Sequence, residues 1–116
     1  MASFTKQFLS GSTNGRGIKI SQTSTAGNIL HTAISGTTSI DEAWIYAVNT
    51  STSAVTLTFE YGEVTAPDGN INISLDADSG LILCLPGLIL NNSLVIRAYA
   101  SIADVVVCHG YINRIA

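Results

Sequence analysis

From residue 17 onward, apolar and polar residues alternate in short runs, and each run is closed by Gly, Pro, Asn, Asp or Ser. Ile18 and Ile20 flank Lys19. Ile29 to Ile34 lies between Ala26-Gly27 and Ser35-Gly36. Ala43 to Asn49 carries Trp44, Ile45, Tyr46 and Val48. Val55, Leu57, Phe59 and Tyr61 alternate with Thr56, Thr58 and Glu60, and Ile71, Ile73 and Leu75 alternate with Asn and Ser. Leu81 to Leu85 is an apolar run stopped by Pro86-Gly87. Leu94 to Ala100 and Val105 to Ile112 complete the set. A period of two sends successive side chains to opposite faces of an extended chain. No stretch keeps the 3.6-residue period that a helix of about ten residues needs.

Eight such runs at intervals of about ten residues predict an all-β, single-domain antiparallel β-sandwich over residues 17–116, jelly-roll-like, with about eight strands. An up-and-down barrel has the same spacing. Ala66-Pro67-Asp68-Gly69 is a turn: Pro presets φ, and Gly follows Asp. Spacing puts Trp44 and Tyr46 on one face, and likewise Phe59 and Tyr61. One member of each pair, with Trp44, is expected to fill the core.

Residues 1–16 break the pattern and read as an extended N-terminal arm. Ser, Thr, Gly and Asn dominate it, and Phe4, Phe8 and Leu9 are its only large apolar groups. The arm is either disordered, as termini often are, or a strap that seats Phe4, Phe8 and Leu9 on a neighbouring subunit.

Composition sharpens this picture. Only 11% of the 116 residues are charged, against about 25% in ordinary domains, and mean hydropathy is +0.38. A surface built from Ser, Thr, Asn and Gly repels its neighbours weakly, which suits a protein that spends its life against a partner. Exposed edges of such strands are sticky, and charge, their usual guard, is scarce. The net charge is −3, and Lys6, Arg16, Lys19, Arg97 and Arg114 are scattered, so no nucleic-acid partner is expected. No run of about 18 apolar residues supplies a membrane-spanning helix, so no membrane partner is expected. The first residues lack the charged start and apolar block of a secretory signal. The N-x-[ST] triplets at Asn49, Asn72 and Asn91 then read as chance. Cys84 and Cys108 are expected as reduced, buried thiols, with a bond open if their strands pair.

Few residues are arranged for chemistry. His31 and His109 sit in separate strands, and Cys108 and His109 point to opposite faces. There is no CxxC, HxH or HExxH pattern. Asp76-Ala77-Asp78-Ser79-Gly80 starts like a calcium loop, but its Gly is misplaced and no acid follows within twelve residues. It reads as a solvated turn. No serine sits in GxSxG, and Asp41-Glu42 and Glu60/Glu63 read as solvated acids rather than a glycosidase pair. No enzyme activity, metal or cofactor is expected. Trp44, Tyr46, Tyr61 and Tyr99 open a second class, aromatics that stack on sugar rings.

The phrases GIKISQTSTAGNILHTAISGTTSIDEAWIYAVNTS, VTLTFEYGEVTAPDG, PGLILNNSLVIRAYA and VVVCHGYINRI resemble small structural proteins from the head-gene clusters of tailed bacteriophages. The chain is most similar in style to capsid decoration, or cement, proteins over about residues 17–115. The resemblance implies a virion protein on the capsid exterior that binds the major capsid protein and itself, as a homotrimer or a dimer. It would clamp adjacent capsid subunits. The alternative is a tail or head-fibre component, a receptor- or glycan-binding β-domain. The resemblance carries over no functional residue.

Overall fold

The computed structural model describes residues 3–116, so the first two residues of the arm lie outside the described residues. Among the described residues nine strands form: β1 (Phe4–Phe8), β2 (Ile18–Ile20), β3 (Asn28–Thr32), β4 (Ile40–Asn49), β5 (Val55–Tyr61), β6 (Asn70–Leu75), β7 (Ile82–Leu90), β8 (Val95–Ala100) and β9 (Val106–Ile115). Sheet A runs β1-β9-β4-β7, with β2 also on β9, and sheet B runs β3-β8-β5-β6. All pairs are antiparallel. The strands nest: β1 and β2 pair with β9, β3 with β8, β4 with β7, and β5 with β6. A long hairpin rolled onto itself gives this order, which is the jelly-roll sandwich.

The core lies between the sheets. Ile45, Leu85 and Ile112 from sheet A meet Leu57, Phe59 and Ile96 from sheet B, all essentially inaccessible to solvent. Each such side chain contributes about 1.5–3 kcal/mol on burial, so the alternating runs dictate which face turns inward. On β4 the small residues Ala43 and Ala47 flank Ile45 inward, which sends Trp44 outward. Trp44 therefore does not fill the core as expected; Phe59 does.

The arm becomes the sheet edge. β1 pairs with Tyr111 to Ile115, and β2 with Val106 to Cys108, so the two are one interrupted first strand along β9. Between them the chain leaves sheet A and touches sheet B. Leu9 drops into the core at 1% exposure, and Gly11 N–H donates to Leu30 O at 2.9 Å. A Cβ on Gly11 would meet the backbone of Leu30 at 2.8 Å, so only glycine fits there.

Pro86-Gly87 does not end β7. An edge strand tolerates a missing N–H. The chain passes through with register shifts, one between its pairings to Ala43 and Trp44 and one between those to Ile45 and Tyr46, and the strand runs on to Leu90. Cys84 and Cys108 are free and buried. β4 separates their strands, and two strand spacings, about 9–10 Å, exceed disulfide reach. Burial pushes the Cys84 thiol up to about 11 and raises Cys108 as well.

Candidate interaction surface

Burial alternates along β4, with Asp41, Ala43, Ile45, Ala47 and Asn49 inside, so Ile40, Glu42, Trp44, Tyr46 and Val48 line the outer face of sheet A. The register extends this face across every strand. Phe8 lies opposite Tyr111, Tyr111 opposite Trp44, and Trp44 opposite Pro86, one row spanning β1, β9, β4 and β7. The next row on one side is Lys6, Asn113, Glu42 and Ile89, followed by Phe4, Ile115 and Ile40. On the other side come His109, Tyr46 and Leu83, then Val107 and Val48 beside Lys19. Apolar and aromatic groups fill most of these positions.

The outer face of sheet B is different. Its rows read Ser74 and Thr56; Asn72, Thr58 and Tyr99; and Asn70, Glu60, Arg97 and Ile29. The β2–β3 loop lies over part of it: Glu60 is buried, accepting from Thr25 Oγ1 and from Gly27 N–H at 2.6 Å. Tyr99 is therefore on the opposite side of the molecule from Trp44. One sheet is dressed for water and the other is not.

The aromatic row is rigidly held. Trp44 and Tyr111 rings lie 6.4 Å apart and within 12° of parallel. Lys6 Nζ stands 4.7 Å from the Tyr111 ring centre, a favourable cation–π placement. Trp44 Nε1–H donates to Glu42 Oε1 at 2.6 Å, and Asn113 Nδ2 donates to the same oxygen at 3.2 Å. These bonds hold the Glu42 carboxyl below its ordinary range. Gly87, at φ 84°, makes room for the indole: a Cβ there would meet Trp44 Cζ2 at 2.9 Å. At the β1 end, Lys6, Gln7, Phe8, Gly15, Gly110 and Tyr111 line a hollow of about 370 Å³.

Of the three arm residues singled out by sequence, Phe4 and Phe8 project from this face at 76% and 64% exposure, whereas Leu9 belongs to the chain's own core. Tyr111, Val107, Leu83 and Ile89 complete the face and were not singled out. A signal for them exists. β4 and β9 are apolar on both alternating sets, a pattern of strands covered on both sides. Only one of those sides is covered here.

A charged cluster lies in the interior around His31 and Asp41. His31 Nδ1 accepts from Ser10 N–H at 3.0 Å, so its proton is on Nε2, which donates to Asp41 Oδ2 at 2.8 Å. Arg114 donates to both Asp41 oxygens at 2.8 and 3.0 Å, and Ile34 N–H to Oδ2 at 3.0 Å. Burial lowers the His31 pKa more than Asp41 raises it. Burial opposes ionisation of Asp41, but the Arg114 and His31 hydrogen bonds outweigh it and hold the carboxyl below its usual range. Ser10 Oγ accepts from Thr32 N–H and does not meet the imidazole, so Ser10, His31, Asp41 and Arg114 form a clasp between the arm and three strands rather than a nucleophile with its base. Glu42 leaves β4 on the opposite face from Asp41, and Glu60 is buried while Glu63 is exposed, so neither acid pair converges. Among the described residues no three His, Cys, Asp or Glu side chains group as metal ligands. Asp76 to Gly80 forms the β6–β7 turn, where Asp78 N–H donates to Ser51 O at 2.8 Å.

Comparison of the chain with models of known families, with curated proteins and with solved structures returned no match.

Proposed function

We propose that this chain is a structural virion protein that seats the outer face of sheet A on the exterior of an assembled phage capsid and stabilises contacts between major-capsid subunits. The carrying observation is the difference between the two faces: rows of Phe, Tyr, Trp, Ile and Val on sheet A, rows of Thr, Asn and Ser on sheet B. With β4 and β9 at ten residues, β7 at nine and β1 and β2 together at eight, strands about 4.8 Å apart offer roughly 600 Å² in projection, approaching the roughly 800 Å² per partner of a standard interface. Buried at about 25 cal/mol per Å², that area gives a gross gain of about 15 kcal/mol, at the upper end of the roughly 4–15 kcal/mol that association costs. Likeness to decoration proteins directs this adhesion to a capsid, where many copies multiply a modest site affinity.

A second reading has one observation in its favour. The near-parallel Trp44 and Tyr111 rings, with Glu42 and Asn113 beside them, suit a fibre component that stacks on sugar. The test is co-sedimentation with purified capsids of the phage that encodes the chain. Tyr46→Asp and Val107→Asp on sheet A are compared with Tyr99→Asp on sheet B, alongside a glycan-binding screen. Loss of capsid occupancy for the sheet A variants alone is the expected result. Glycan binding that Trp44→Ala abolishes, with no capsid binding by the intact chain, would move the assignment to the fibre.

A further inference from the structure

We infer that two copies of this chain pair through the exposed ridge of β7, about a two-fold axis that passes near Pro86 and stands perpendicular to sheet A. The inference needs no capsid and holds for the chain in solution.

β7 is one of the two edges of sheet A and, among the described residues, pairs only with β4. From Leu81 to Leu90 it carries no charge. Leu81, Ile82, Leu83, Leu88 and Ile89 are 38–57% exposed, a concentration of apolar surface that no other edge shows. The other edges are guarded. β6 presents Asn70, Asn72 and Ser74; β1 exposes Phe4 and Phe8 but sets Thr5, Lys6 and Gln7 between them; β3 is covered where Gly11 bonds to Leu30. Charge, polarity and cover are the usual means of blunting an edge, and the side chains of β7 have none of them.

Its backbone is another matter. Pro86 has no N–H, Gly87 adopts φ 84°, and the strand shifts register twice. A continuous hydrogen-bonded ladder with any incoming strand is interrupted at its centre. What β7 offers is a ridge of side chains, and the ridge is complementary to itself. Leu83, Pro86 and Ile89 lie on the outer face, opposite Tyr46, Trp44 and Glu42, spaced three residues on either side of Pro86. An antiparallel two-fold at Pro86 sets Leu83 of one copy against Ile89 of the other. One end of the ridge carries Leu81, Ile82 and Leu83. The other opens into a hollow of about 210 Å³ lined by Ile40, Ile89, Leu90, Asn91 and Leu94. The same rotation lays the knobs of each copy at the hollow of its partner, and no like charges meet.

A ridge roughly 30 Å long and about 15 Å wide buries about 900 Å² over both copies, just under the roughly 1,000 Å² that a stable specific interface clears, so the pairing is weak and concentration-dependent. The axis leaves both outer faces of sheet A on the same side, so the pair presents one continuous apolar plane of doubled width.

Sedimentation velocity of the full chain across about 1–300 μM tests this directly. A concentration-dependent shift from 12.1 kDa to twice that mass is expected. Leu83→Asp and Ile89→Lys, both at exposed positions, should each weaken dimerisation at least about tenfold, as truncation of a central contact does. An equimolar mixture of the two variants should recover the dimer, because the introduced carboxylate of one copy then faces the introduced ammonium of the other, and the second contact stays Leu83 against Ile89. A monomer throughout, a trimer, variants that dimerise like the intact chain, or a mixture that stays monomeric overturns the inference. If circular dichroism shows a charged variant unfolded, Leu83→Asn and Ile89→Asn read the same loss. Capsid co-sedimentation of the same variants is scored separately, so failure of the dimer and failure of capsid docking are told apart.

Discussion

His31 and Asp41 meet inside the sandwich at 2.8 Å, with the imidazole neutral and its second nitrogen occupied by the Ser10 amide. The contact joins β3 to β4, and through Arg114 to β9. It has a pH signature. His31 has a lowered pKa in the fold and an ordinary one near 6.5 when unfolded. Between those values the unfolded chain binds the extra proton, so stability is full above about pH 6.5 and falls as pH drops below it. Asp41 is also lowered, and its contribution is lost further down, below about pH 4. Urea denaturation at pH 8, 6, 5 and 3.5 should show both declines, and His31→Gln should remove the upper one. An intact chain equally stable at pH 8 and pH 5 would contradict the clasp.

Arg114→Ala leaves the 1%-exposed Asp41 side chain without its ion-pair partner. Breaking a buried pair from one side costs about 3–5 kcal/mol. Arg114 itself is 28% exposed, and water entering the gap reduces the loss to about 2–3 kcal/mol. Chemical denaturation reads the difference, and a change under about 0.5 kcal/mol would show that Asp41 is held by its other donors alone.

The arm residues separate by role. Leu9→Ala should destabilise by about 2–5 kcal/mol, the range for truncating a buried leucine. Phe4→Ser and Phe8→Ser, at exposed positions, should change stability by no more than about 0.5 kcal/mol while lowering occupancy on capsids. Equal effects of all three on stability would mean that Phe4 and Phe8 also serve the fold.

Gly87→Ala adds a side chain at a left-handed position and against the Trp44 ring. The backbone cost alone is about 1–2 kcal/mol. Displacement of the indole should also shift the emission of Trp44, the chain's single tryptophan. Unchanged emission would show that the ring does not rest on Gly87.

Much of this architecture is legible in the alternation of residues. Val55 to Tyr61 reads as a strand and is one, because Leu57 and Phe59 have a core to enter and Thr56 and Thr58 do not. Other features are hidden. β1 has no periodic signal, since Phe4, Lys6 and Phe8 face outward while its inner side carries Thr5 and Gln7; it is a strand because β9 has a free edge to pair with. The continuation of β7 through Pro86-Gly87 depends on its edge position, which tertiary pairing alone decides. The orientation of Trp44 is set by neighbours too, because Ala43 and Ala47 are small enough for the closely packed interior of β4 and the indole is not. Which face lacks cover becomes visible only when the rows of four strands are assembled side by side.

Trp44 sits at the centre of that uncovered face, so its fluorescence reports docking directly. On titration with purified capsids, its emission should shift to the blue and its quenching by acrylamide should fall in step with occupancy. Saturating attachment to the shell with Trp44 emission and quenching unchanged would contradict docking through sheet A.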